Sequence, residues 1–227
     1  ESPDTQGFIA SLEELGRAHE IDRWVLEHVF DWMAANLAAL DHVCGLAVNL
    51  SAQSIARTDF SAWLRDALAQ RGALAHKLVF EITETAAIAG YGVAQEFIRE
   101  MRRFGCRFAL DDFGSGYTSY AHLKNLRTDI LKIDGSFVRD MITSESDVAM
   151  VKSMSDIAHV LGMKTVAEWV EQPEVLALLA EGGIDYAQGY AIERPFRLEL
   201  LASRILTTNA ASQDGIGQFD AVAGAAS

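Results

Sequence analysis

Val93-Ala-Gln-Glu-Phe-Ile-Arg-Glu-Met-Arg-Arg-Phe104, then Gly105, then Cys106-Arg-Phe-Ala-Leu-Asp-Asp112 is the stretch that decides the fold. Its first segment carries apolar residues three and four apart, the mark of an amphipathic helix, while the second is a short run apolar on both faces, the mark of a strand buried on both sides. The glycine between them suits a helix C-terminus, where its tolerance of positive φ ends the helix. A helix delivered straight into a doubly buried strand is half of a βαβ unit.

The same alternation extends in both directions. Helical periodicity marks residues 21–40, 60–71, 147–161 and 173–181, and short apolar runs mark strands at 45–49, 77–81, 129–133, 163–168 and 184–188. Gly162 and Gly183 repeat the position of Gly105, each just before a strand. The pattern leaves a closed (β/α) barrel or an open doubly wound sheet. Six strands can be assigned, whereas a barrel of this class has eight. Glu1-Ser-Pro-Asp-Thr-Gln-Gly7 reads as a loop leading to a helix at Phe8, which puts the deficit at the N-terminus. The expected organisation is a TIM-like (β/α)8 barrel over residues 1–206 whose N-terminal strands are missing, followed by a flexible low-complexity tail at 207–227.

Composition narrows the function. Half of the 227 residues are hydrophobic and 22% are charged, enough to build a real core. The formal charge of -13 argues against a DNA or RNA partner, because affinity for those polyanions comes from Lys and Arg at the phosphates. A phosphate-ester ligand would need a metal to supply the positive charge. Two cysteines, Cys44 and Cys106, lie in or next to apolar runs, which excludes a disulfide scaffold and fits a reduced, cytoplasmic setting. No stretch approaches the roughly 20 apolar residues needed to cross a bilayer. The chain could still be the cytoplasmic part of a membrane-anchored protein.

In a parallel α/β barrel the carboxyl ends of the strands converge on one face, where ligands bind. Here those ends are Asn49, Glu81, Asp111 with Asp112, Lys132 with Asp134, Glu168 and Gln188. A polar residue where a strand leaves the core is ordinary; one at every assigned strand end is what a binding rim requires. Four carboxylates near Asn49 cannot all stay ionised without a compensating charge. A ligand set made only of oxygens selects hard cations, Mg²⁺ or Mn²⁺. None of the six histidines falls on a strand end, so they read as surface or packing residues rather than zinc ligands. Two hard metals a few ångströms apart activate a water and stabilise the leaving oxygen of a phosphodiester. Lys132 would hold that water or offset phosphoryl charge, its competing role being a structural ion pair with one of the acids.

The motifs Asn49-Leu-Ser-Ala, Phe80-Glu-Ile-Thr-Glu84, Asp111-Asp-Phe-Gly-Ser-Gly-Tyr117, Leu131-Lys-Ile-Asp134, Ala167-Glu-Trp-Val-Glu171 and Gln188-Gly-Tyr190 resemble the ordered motifs of EAL domains, the cyclic di-GMP phosphodiesterases of bacterial signalling. The resemblance runs from about Phe8 to Pro195. It implies hydrolysis of cyclic di-GMP to linear 5'-pGpG, with Asn49, Glu81, Asp111, Asp112 and Glu168 as metal ligands and Lys132 in contact with the catalytic water. Glu168 doubles as a candidate base. Glu84 would hold the loop of residues 113–120, including Ser115 and Gly116, in its competent shape. Asp134, Glu171 and Gln188 match further site residues. The resemblance also implies a homodimer near that loop and upstream GGDEF or sensory domains in the parent protein.

Two departures stand out. The signature Glu-Ala-Leu, whose glutamate is a metal ligand in the family, is absent, which keeps open a non-catalytic cyclic di-GMP receptor that signals to partner domains. Trp169 stands where the family more often has glycine, and either narrows the pocket or packs against the neighbouring loop.

Overall fold

A computed structural model of the chain describes residues 5–116, 120–211 and 223–224. Helices α1 (Thr5–Glu14), α2 (Ala18–Ala35) and α3 (Leu37–Leu40) lead to strand β1 (Leu46–Asn49), and α4 (Ala52–Ala56) with α5 (Thr58–Arg71) leads to β2 (Leu78–Thr83). Next come α6 (Glu84–Ala89) and α7 (Tyr91–Met101), then β3 (Arg107–Phe113), α8 (Tyr120–Leu126) and β4 (Ile130–Ile133). The pairs α9 (Gly135–Arg139) and α10 (Glu145–Val160) precede β5 (Lys164–Ala167), and α11 (Val175–Glu181) precedes β6 (Tyr186–Ala187). Helix α12 (Leu201–Ala211) and the short β7 (Ala223–Gly224) follow.

All pairings are parallel, and the order is β6-β5-β4-β3-β2-β1-β7. Six strands consecutive in sequence are therefore consecutive in space, curled into a half-barrel. A doubly wound sheet would reverse its order partway, and this one does not. Gly105, Gly162 and Gly183 all have positive φ, of 94°, 80° and 77°, as helix-ending glycines before strands should.

The largest differences from the sequence reading lie at the two ends of the chain. Helix α1 begins at Thr5, inside the stretch expected to be loop. Helix α12 runs to Ala211, past the expected domain end at 206, because Leu201 and Ile205 pack on the main core and carry the helix with them. Residues 223–224 of the expected tail pair with β1, and the remainder of that tail lies outside the described residues.

Strand alternation divides the core. The outward residues Val48, Phe80, Phe108, Leu110 and Leu131 join the helices in one large cluster, with the Phe80 and Phe108 rings tilted against each other at 5.5 Å and Phe108 edge-on to Phe97 at 6.2 Å. The inward residues Ala47, Val79, Ala109, Ile130 and Val166 form a separate layer, one per strand, with Tyr186 against it. That layer floors the half-barrel.

An aspartate just before a strand twice pins the opposite, amino-terminal end of the sheet. Asp129 accepts from the Phe108 amide at 2.9 Å, and Asp185 accepts from the Thr165 amide at 2.8 Å and its hydroxyl at 3.0 Å. Asp185 also meets Lys164 Nζ at 2.6 Å and His159 Nε2 at 2.8 Å. Partial burial would raise its pKa, but the bonds from Lys164, His159 and Thr165 outweigh that and hold it at about 2. A depressed carboxylate stabilises the fold above its unfolded value near 3.9, and the contribution fades as pH falls toward about 2. Asp185→Asn should therefore cost about 1–3 kcal/mol at pH 7 in urea titrations, with the gap to the natural protein closing between about pH 4 and pH 2. A gap independent of pH would mean the network carries no charge component.

Candidate functional site

Two residues beyond each floor position, the same face of each strand presents its next side chain. Ala47 is followed by Asn49, Val79 by Glu81, Ala109 by Asp111, Ile130 by Lys132 and Val166 by Glu168. Strand register levels them: Asn49 lies beside Glu81, and Lys132 pairs with Val166 one position from Glu168's neighbour Ala167. Five of the strand-end residues expected at a single rim, Asn49, Glu81, Asp111, Lys132 and Glu168, thus emerge from one apolar layer on one side of the sheet.

Lys132 is the hub. Its Nζ lies 3.1 Å from Glu81 Oε2, 2.8 Å from Asp111 Oδ1 and 2.8 Å from Glu168 Oε1, and the residue is only 3% exposed. Glu81, Asp111 and Glu168 are buried too.

Simple alternation would send Asp112 to the outer face. A register shift between Leu110 and Phe113 and a φ of 55° at Asp112 break the alternation, turning this second carboxylate to the same mouth as the first. Asp111, Asp112 and Glu168 each bring a carboxylate oxygen within 4.8 Å of the others. The turn is braced by Ser115, whose amide and hydroxyl donate to the Asp112 carbonyl at 3.2 and 2.8 Å.

Burial and mutual repulsion act together on these acids. Burial pushes the Glu81 pKa up, Lys132 opposes this, and Asp111 adds to it. Glu168 rises to about 7 for the same reasons. Asp112 rises through burial and the nearby charges of Asp111 and Asp134. Burial alone would lower the Lys132 pKa, but Glu81, Asp111 and Glu168 outweigh it and raise it, so the ammonium keeps its charge. One ammonium facing four carboxylates leaves an excess of negative charge that a divalent cation would neutralise.

The donor set fits such an ion. It is all oxygen, and the buried Asp111 Oδ1 has only a charge contact to Lys132, with no hydrogen bond of good geometry among the described residues. Asp111, Asp112 and Glu168 would hold the metal most directly. Glu81 is engaged by Lys132, and Asn49 is exposed at the end of β1.

Glu84 stands just after β2, buried at the start of α6, and its Oε2 accepts from the Gly114 amide at 2.9 Å. A Cβ on Gly116 would come within 2.6 Å of Glu84 Oε1, so the loop after Asp112 approaches this carboxylate as closely as glycine permits. Glu84 thus holds the loop at Gly114 and lies close to Gly116; residues 117–119 of the loop lie outside the described residues. Asp134 caps α9, accepting from the Ser136 amide at 2.8 Å. Gln188 joins β5 to β6, its amide donating to Ala167 and its carbonyl accepting from Val170. Glu171 is exposed, and no contact joins it to the Lys132 cluster.

Trp169 packs against a neighbouring element and does not fill the site. Its ring lies on Gly135, where a Cβ would come within 2.3 Å of Trp169 Cγ, and the Arg139 guanidinium sits 5.1 Å from the ring centroid. Sequence reasoning missed Gly135 and Arg139. A glycine directly after the capping Asp134, where helices have no need of one, was the available signal.

A family model described as EAL domain matches residues 1–195. The chain is 40% identical over 194 residues to the cyclic di-GMP phosphodiesterase PdeF of Escherichia coli (strain K12), covering 86% of this chain and 26% of that protein. A solved structure described as PaMucR phosphodiesterase in complex with c-di-GMP superposes with a TM-score of 0.80 at 29% identity, covering 88% of this chain and 83% of that one. The manganese/cy-diGMP complex of Klebsiella pneumoniae BlrP1 gives a TM-score of 0.67 at 30% identity, covering 76% and 44%. The chain spans about a quarter of the length of the curated relatives it matches.

Proposed function

The chain belongs to the EAL domain family, and from that premise we propose that it is a metal-dependent phosphodiesterase opening cyclic di-GMP to linear 5'-pGpG. The observation that carries this reading is the cluster itself: Asp111, Asp112 and Glu168 converge around a buried lysine with a surplus of negative charge.

Asn49, Glu81, Asp111, Asp112 and Glu168 would hold two Mg²⁺ or Mn²⁺ ions, the choice of hard metal following from the oxygen donors. Bound there, the ions supply Lewis acidity toward the phosphodiester and make water a nucleophile near neutral pH. Lys132, fixed by three carboxylates, would orient that water or meet charge on the phosphoryl oxygens. Glu168, whose carboxylate meets Lys132 at the same mouth, would also be the candidate base. Glu84 holds the loop that carries Ser115 and Gly116 beside the site. Asp134, Glu171 and Gln188 would line the approach of the nucleotide.

The wider setting belongs to the same proposal: a homodimer near the loop after Asp112, upstream GGDEF or sensory domains, and a cytoplasmic location. The short span of the chain relative to its relatives supports further domains. No helix among the described residues is long and apolar enough to cross a membrane.

The second reading is a receptor that binds the nucleotide without cleaving it, in which the cluster around Lys132 serves binding alone. The test is incubation of the protein containing this domain with cyclic di-GMP and Mg²⁺, with the products separated by chromatography. The expected product is linear pGpG, abolished by a chelator. Binding of metal and nucleotide with no linear product, and nucleotide affinity that survives the chelator in calorimetry, would instead establish the receptor.

A further inference from the structure

Trp169 directly follows Glu168 and has a φ of 52°, a conformation that bulky side chains rarely adopt. The residue is nonetheless 54% exposed. Its ring is seated with care. Gly135 must lack a Cβ, because one built there would meet Trp169 Cγ at 2.3 Å and Cβ and Cδ2 at 2.5 Å. Arg139, four residues along α9 and so on the same helix face as Gly135, brings its guanidinium 5.1 Å from the ring centroid. Both supports belong to one helix, which leaves the remainder of the indole to solvent.

A residue that only fills space is buried, and no packing need explains strained backbone, a bare glycine and an arginine all serving a ring that stays more than half exposed. The location supplies the reason. Glu168 on one side contacts Lys132, while Gly135 on the other directly follows Asp134 at the carboxyl end of β4. A fixed aromatic face at the lip of a phosphate-ester site is what a nucleobase stacks on.

We propose that Trp169, backed by Gly135 and Arg139, is a stacking platform for one purine base of the cyclic dinucleotide and sets the affinity of this site for its substrate. This rests on the phosphodiesterase reading. Trp169 is a binding residue in this scheme and touches no reacting atom.

The experiment compares Mg²⁺-dependent hydrolysis of cyclic di-GMP by the natural protein, Trp169→Ala, Trp169→Phe, Gly135→Ala and the double variant, alongside Mn²⁺ affinity without nucleotide. Trp169→Ala should raise KM about tenfold to a hundredfold with kcat within about threefold, and Trp169→Phe should stay close to the natural protein. Gly135→Ala should raise KM by displacing the ring, and adding it to Trp169→Ala should cost nothing more. Mn²⁺ affinity should stay within about twofold throughout. An unchanged KM in Trp169→Ala overturns the platform. So does a KM rise matched by lost Mn²⁺ affinity, since Trp169 would then merely position Glu168. If the natural protein neither binds nor hydrolyses cyclic di-GMP, the phosphodiesterase reading itself falls and takes the platform with it; if it does both and the variants match it, the platform alone falls.

Discussion

Asp111→Asn protein supplied with Mg²⁺ should turn over cyclic di-GMP at least about a thousandfold more slowly than the natural protein, while remaining folded. Losing a single donor to developing charge typically costs about 10²–10³ in rate, and here the metal that organises the site would be lost with it. Asp111 both touches Lys132 and belongs to the three-carboxylate cluster, as does Glu168, and its carboxylate is buried. Folding should survive because Asp111 raises the pKa of Glu81, Asp112 and Glu168; removing its charge relieves that repulsion in metal-free protein. Mn²⁺ titration should show the affinity lost in parallel with the rate, and Glu81→Gln should act in the same direction. A near-normal rate with Asp111→Asn would place the metals elsewhere.

The strands and the rim were legible in the sequence because both follow from one regularity. A run apolar on both faces and bounded by helices must be a parallel strand, and its last polar residue must sit at the carboxyl mouth. Period two then carries Asn49, Glu81, Asp111, Lys132 and Glu168 inward together. What stayed hidden depends on broken regularities. Asp112 follows Asp111, so alternation alone points it away from the mouth, and the bulge that turns it back is a property of pairing with β4. The short helices α4, α6 and α9 span too few residues to show a helical period, and each starts within a few residues of a strand end. Trp169 was visible as an oddity beside Glu168, but its seat was not, since the contact with Gly135 joins the ends of two different strands. The half-barrel's floor of Ala47, Val79, Ala109, Ile130 and Val166 was likewise written across five segments, one residue in each.

Lys132→Ala is the second change with a large expected effect, because the ion-pair role open to this lysine is realised with three acids at once. In the structure it is the only cation in contact with three buried carboxylates among the described residues. Breaking a buried ion pair from one side costs about 3–5 kcal/mol, because the partner charges stay behind without compensation. For a chain of this size that lowers the melting temperature of metal-free protein by roughly 10 °C. Two conditions should recover the loss. Mg²⁺ should restore more stability to the variant than to the natural protein, since the ion replaces the missing positive charge. Lower pH should help as well, with the sign set by the acids. Glu81 and Glu168 already have raised pKa values in the presence of the lysine, and without it they rise further. A carboxylate whose folded pKa exceeds its unfolded value destabilises the fold at high pH and is relieved as pH falls through that raised value. The melting temperature of the variant should therefore climb toward that of the natural protein between about pH 8 and pH 5. A loss that is the same at every pH and indifferent to Mg²⁺ would mean that Lys132 contributes through its buried aliphatic stem, and that the charge it balances is not what shapes this site.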